Sequence, residues 1–175
     1  MSYIFLVGFM GAGKTTLAKK IATKLGCSWL DSDQEIEKRE GIKVSEIFEV
    51  RGEDYFRILE KQFLDDLQPN EKMIIATGGG LPCFNGNMTR LNELGITIYL
   101  ERTPKELFQR VKQATNSRPL IAHKSDEELL EYIETTMEKR REIYLQSTII
   151  ADRFSQTPEK IIELIVKTPY TASRW

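Results

Sequence analysis

The chain has 175 residues, and its 25 lysines and arginines against 26 aspartates and glutamates leave a net charge of −1. That length predicts one domain with a core of its own, and the even charge excludes a general polyanion binder, so no nucleic-acid partner is expected. Two distant cysteines, Cys27 and Cys83, argue against a disulfide scaffold or zinc finger, and the longest apolar run, Tyr3 to Val7, is too short for a membrane span and follows no basic leader, so a cytoplasmic protein is expected.

Tyr3–Val7 ends at Gly8 and reads as a strand covered on both faces. From Lys14 to Leu25 the apolar residues Leu17, Ala18, Ile21, Ala22 and Leu25 fall at helical spacing, and Gly26 stops the run. Cys27–Leu30 is a second strand and Gln34–Arg39 a short helix stopped by Gly41. Apolar residues from Val44 to Leu67 step by three and four with Gly52 in the middle, which predicts one helix ending near Gly52 and another from about Glu53 to Leu67. Met73–Ala76 is a third strand and runs into Thr77-Gly78-Gly79-Gly80. A helix over Asn87–Leu94, stopped by Gly95, precedes a fourth strand at Ile96–Leu100. Thr103-Pro104 opens a helix to about Gln113, with proline at its first position. After a polar, basic stretch at 114–124, Ser125 and Glu128 form a capping box for a helix to about Leu145. Thr148–Ala151 is a fifth strand, and Thr157-Pro158 opens a last helix to about Lys167, leaving 168–175 as a tail. Strands alternating with helices predict a three-layer α/β/α domain over 1–167 around a five-stranded parallel sheet.

Gly8-Phe9-Met10-Gly11-Ala12-Gly13-Lys14-Thr15 fits G-x-x-x-x-G-K-[ST] in full, between an apolar strand and an amphipathic helix. Such a loop turns successive backbone N–H groups onto one centre, and the helix N-terminus adds positive potential. The chain is therefore expected to bind a nucleoside triphosphate along Gly11, Ala12, Gly13, Lys14, Thr15 and Thr16. Lys14 would meet the β- and γ-phosphates, and the Thr15 hydroxyl would ligate Mg2+. No N-K-x-D motif reads guanine, and the third strand ends in glycines rather than in the acids of an ATPase motor.

Acid stands instead at the end of the second strand, in Asp31-Ser32-Asp33. Alone this is a turn with a helix cap; beside a phosphate loop, one carboxylate can hold hydrated magnesium and the other a hydroxyl of the acceptor. Arg57 and Glu60 stand at i, i+3, so Glu60 can orient the guanidinium, while Phe48 and Phe56 can wall a pocket suited to a ring carboxylate. Three glycines after a strand predict backbone N–H groups turned toward a ligand. Arg118, in Arg118-Pro119-Leu120, can close over ATP from a loop. Lys139-Arg140-Arg141 is a basic cluster near a helix end, with Tyr144 four residues after Arg140, and His123 is assigned no role.

Together these segments resemble shikimate kinase, in the nucleoside-monophosphate-kinase group of P-loop folds. The resemblance rests on GFMGAGKTT, on Asp31–Asp33, on Ser45–Glu60, on IATGGG at Ile75–Gly80, on RPL at Arg118–Leu120 and on Arg140 with Tyr144, in order over about Tyr3 to Ala151. It implies ATP-dependent phosphorylation of the 3-hydroxyl of shikimate by direct in-line transfer. Lys14 and Thr15 take the phosphate and metal roles, and Asp31 reaches the metal through water. Asp33 holds the substrate hydroxyls and is the candidate base. Arg57 and Arg140 grip the carboxylate, Gly78, Gly79 and Gly80 form a backbone wall, Arg118 serves the lid at about 114–124, and Arg110 stacks near adenine. The family's R-x-P-L-Y reads here as Arg140-Arg141-Glu142-Ile143-Tyr144, and Arg140 is the arginine assigned. The substrate segment spans about 32–60, and a monomer is expected. The competing readings are a kinase of another small hydroxy acid such as gluconate, and a non-catalytic ATP-binding regulator on the same fold.

Overall fold

A computed structural model describes residues 3–68, 72–113 and 124–168. The order of elements is β1 (Tyr3–Val7), α1 (Lys14–Leu25), β2 (Ser28–Asp31), α2 (Ser32–Glu40), α3 (Val44–Asp65), β3 (Met73–Ala76), α4 (Asn87–Leu94), β4 (Gly95–Leu100), α5 (Pro104–Gln113), α6 (Asp126–Tyr144), β5 (Ile149–Ala151) and α7 (Pro158–Lys167), with a 3₁₀ turn at Leu81–Cys83. The sheet is parallel throughout in the order β2-β3-β1-β4-β5.

β1 is central, and its alternation divides the core. Ile4 and Leu6 face Leu17 and Ile21 of α1, Val111 of α5, Ile133 of α6 and Ile161 of α7. Tyr3, Phe5 and Val7 face Ile47, Phe56 and Phe63 of α3 and Leu91 of α4. A strand buried on both faces reads as an unbroken apolar run, which is why YIFLV shows no polar alternation. The expected five-stranded α/β/α architecture is the one observed, and no described helix is long and apolar enough to cross a membrane.

Two boundaries differ from expectation for physical reasons. β2 runs one residue further, to Asp31, and α2 begins at Ser32, because the Asp31 side chain accepts the N–H groups of Asp33 and Gln34 and caps the helix. α3 is broken at Gly52, whose φ 81° and ψ 171° are not helical, so two helical segments meet there as the spacing predicts. Gly95 opens β4 in extended conformation; a Cβ there would overlap the Tyr3 carbonyl, so its glycine serves the sheet rather than a helix stop.

The strand order brings the carboxyl ends of β2, β3 and β1 side by side. Asp31, the glycines after Thr77 and the loop from Gly8 thus open into one crevice, the usual ligand position in such sheets.

Candidate active site

The loop from Gly8 to Gly13 turns on three glycines with positive φ, at 143°, 81° and 97° for Gly8, Gly11 and Gly13. Gly13 caps α1 in the left-handed conformation. Lys14 is buried, and its Nζ donates to the carbonyls of Gly8 (2.7 Å) and Phe9 (2.9 Å), so its ammonium holds the loop closed around itself. Arg110 of α5 donates to the carbonyls of Gly11 and Ala12, both at 3.3 Å, which fastens the outer side of the loop. Thr16 faces the same cleft, of volume 1720 Å3.

Asp31 serves two partners at once. Its Oδ1 caps α2, and its Oδ2 accepts the Thr15 hydroxyl at 2.6 Å. Two hard oxygen donors therefore meet at the phosphate end of the cleft. Among the described residues no group of three or more His, Cys, Asp or Glu gathers as a metal site. A magnesium ion needs none: it keeps waters and takes one or two protein oxygens plus substrate phosphates, so Thr15 and Asp31 fit it.

Asp33 is the second residue of α2, with its Oδ1 sealed from solvent and without a hydrogen-bond partner. Burial, then the neighbouring Asp31, pushes its carboxyl up to about 6, against the pull of Lys14 and Arg57. A carboxylate so placed titrates near working pH, as a general base requires.

Arg57 sits on α3 with its guanidinium 4.0 Å from the Phe84 ring centroid and within 6 Å of Phe48 and Phe56. Its Nη1 donates to Glu60 at 2.7 Å, and its Nε and Nη2 donate to Glu53 at 3.1 and 2.6 Å. Burial opposes the charged guanidinium, but the two glutamates outweigh it and raise its pKa. Glu60 is 1% exposed; burial lifts its carboxyl to about 7 against Arg57, and its Oε1 has no partner.

Two of the three glycines act through their missing side chains. A Cβ on Gly78 would overlap Asp33 and one on Gly80 would stand 2.6 Å from Arg57 Nη1, whereas one on Gly79 would make ordinary contact with Met10 N at 3.4 Å and Arg140 Nη1 at 3.6 Å. This corrects the expectation of free N–H groups at Gly78, whose N–H donates to the buried Ser32 hydroxyl at 2.7 Å. Arg140 lines the cleft beside Phe9, and the Tyr144 hydroxyl beneath it donates to the Gly79 carbonyl at 2.6 Å. Arg141 points away, half exposed, toward Glu142. Arg118 and His123 lie outside the described residues.

The structure therefore brings Gly11, Gly13, Lys14, Thr15, Thr16, Asp31, Asp33, Arg57, Gly78, Gly79, Gly80, Arg110 and Arg140 to one cleft, while the Ala12 side chain is buried within the loop. Sequence reasoning missed Ser32, Glu53 and Phe84. Only Glu53 left a signal, its i, i+4 spacing to Arg57.

A family model described as shikimate kinase matches residues 10–169. The chain belongs to the shikimate kinase family. A shikimate kinase of Bacteroides fragilis is 45% identical over 150 residues, which cover 86% of this chain and 84% of that protein. The crystal structure of shikimate kinase from Bacteroides thetaiotaomicron superposes with a TM-score of 0.88 at 40% identity, covering 93% of this chain and 97% of that one. A shikimate kinase from Acinetobacter baumannii, solved in complex with shikimate, gives a TM-score of 0.82 at 33% identity, covering 95% and 93%. The chain is accordingly a phosphotransferase that uses ATP as co-substrate.

Proposed function

We propose that the protein transfers the γ-phosphoryl group of ATP to the 3-hydroxyl of shikimate, giving shikimate 3-phosphate and ADP. One observation carries the residue assignment. Asp33, Arg57 and Arg140 line the cleft that holds the phosphate loop, and Gly78 and Gly80 leave room for Asp33 and Arg57 by carrying no Cβ, which supports reading Asp33 as the base and the two guanidiniums as the anion grip.

In this reading Arg57 and Arg140 hold the substrate carboxylate, and the aromatic rings around Arg57 flank the carbocycle. The hydroxyl then faces Asp33. Its oxygen attacks the γ-phosphorus in line, the bond to the β–γ bridging oxygen breaks, ADP departs and the hydroxyl proton passes to the Asp33 carboxylate. Lys14 turns from the Gly8 and Phe9 carbonyls to the β- and γ-phosphates. Mg2+ would be held by Thr15 and, through water, by Asp31, and would supply charge neutralisation on the phosphates. Arg110 lies at the nucleotide end, where it can stack on the base, and Arg118 belongs to the lid at about 114–124. Residues 32–60 form the substrate segment of a single kinase domain over 1–167. Every assigned group comes from one chain, so a monomer suffices, and a cytoplasmic enzyme is part of the same reading.

Coupled ADP release, measured with shikimate, gluconate and a nucleoside monophosphate in parallel, tests the proposal. Turnover with shikimate and none above background with the others is expected. Faster turnover with gluconate would overturn it, and no turnover with any acceptor would favour a non-catalytic regulator.

A further inference from the structure

The edge of Arg57 that would fork onto a carboxylate is already taken. An arginine offers two parallel donors along its Nε–Nη2 edge, the geometry that matches a carboxylate. Here both donors converge on one oxygen of Glu53, Oε1, at 3.1 and 2.6 Å, which occupies the edge without filling both its positions. The opposite nitrogen is tied to Glu60, and the end between Nη1 and Nη2 abuts Gly80, where a Cβ would stand only 2.6 and 2.8 Å away. Phe84 covers one flat face at 4.0 Å. An incoming carboxylate therefore has to displace one of these neighbours.

They are not equally easy to move. Glu60 is 1% exposed, and Gly80 is backbone on the cleft floor. The Glu53 side chain is 53% exposed. It also follows Gly52 directly, at the kink of α3 (φ 81°), where a Cβ would meet nothing within 4 Å. Glu53 can swing into water at small cost, since its charge is rehydrated and no buried surface opens.

We infer that Glu53 is a stand-in for the substrate carboxylate: it holds the forked edge of Arg57 in the empty site and is displaced by the acid group of the substrate. The inference rests on the reading of Arg57 as the carboxylate anchor. It makes Glu53 a positioning and specificity residue. A ligand without a carboxylate gains nothing from displacing it, and stray anions must compete with a negative charge already in place. The arrangement also keeps the guanidinium preorganised, with its planar fork set before substrate arrives.

The experiment measures steady-state kinetics and shikimate affinity in Glu53→Gln and Glu53→Ala, together with the affinity of the methyl ester of shikimate, which has the ring but no charge. Release of a half-exposed pair of this kind is worth up to about fivefold. KM and Kd for shikimate should fall by about threefold to fivefold in both variants, with kcat unchanged and ester affinity unmoved. A KM that rises would mean that Glu53 orients Arg57 without competing; a KM within about 1.5-fold of the parent would mean that the carboxylate enters by another edge. Either overturns the inference. Tightening of acid and ester alike would also overturn it, since charge would then play no part. Arg57→Ala, measured alongside, separates the two levels. If it leaves shikimate affinity intact, the anchor reading fails, whereas a large loss there with no gain at Glu53 removes the stand-in alone.

Discussion

A Cβ on Gly78 would overlap the Oδ1 of Asp33 and stand 3.1 Å from its Cγ. The glycine is thus the seat of the candidate base. Gly78→Ala should turn Asp33 out of line with the γ-phosphate while the Ser32 bond to the Gly78 N–H survives. Loss of a positioned base costs on the order of 100-fold or more. The expected outcome is a fall in kcat of that size with a KM for ATP within about twofold of the parent, measured by coupled ADP release. A kcat near that of the parent would mean that Asp33 finds its position without the glycine.

Asp33 also exacts a cost in stability. Its folded pKa, about 6, lies above the ordinary 3.8, because burial and Asp31 disfavour the charge. The folded state therefore holds the proton more tightly, and through this group stability falls as pH rises from about 4 to about 6, then stays low. Asp33→Asn removes the charge. It should abolish transfer and yet stabilise the protein at pH 8 by about 1–3 kcal/mol, a gain that shrinks toward pH 4. Thermal denaturation of both proteins across that range checks this; a variant less stable at pH 8 would contradict it.

The phosphate loop, the D-x-D acids and the Arg57–Glu60 pair were all readable as local spacing, because each lies within a few residues of chain. Strands were readable because a parallel sheet covered on both faces demands short apolar runs. What spacing could not reveal was the use of Gly78 and Gly80. Their sequence predicts exposed N–H groups, but only the side-by-side ends of β2 and β3 show that Asp33 and Arg57 fill the space that side chains there would occupy. The same holds for Phe84, which meets Arg57 from beyond the glycines, and for Gly95, whose glycine answers to Tyr3 on a neighbouring strand. Such contacts join distant segments and leave no periodicity.

Arg57 and Glu60 divide binding from stability. Arg57→Ala should raise the KM for shikimate strongly. It should also destabilise the fold by about 2–4 kcal/mol, because it leaves Glu60, 1% exposed, without its cation. Arg57→Ala combined with Glu60→Gln should recover part of the stability and none of the shikimate affinity. Denaturant melts read the first quantity and calorimetric titration the second. Parallel recovery of both would place the carboxylate grip elsewhere than Arg57.

Asp31 allows a test of the metal end because its two oxygens act separately. Asp31→Asn keeps an oxygen to cap α2, so stability should change by less than about 1 kcal/mol. It removes the charge that faces Thr15 at 2.6 Å and that would hold hydrated magnesium. The magnesium concentration for half-maximal turnover should then rise by about tenfold, as expected when an outer ligand partner is lost. Asp31→Ala adds loss of the cap and should cost about a further 1 kcal/mol, visible in the melting curve and absent from the magnesium titration. An unchanged magnesium requirement in Asp31→Asn would confine Asp31 to its helix and leave Thr15 as the protein's sole assigned contribution to the metal.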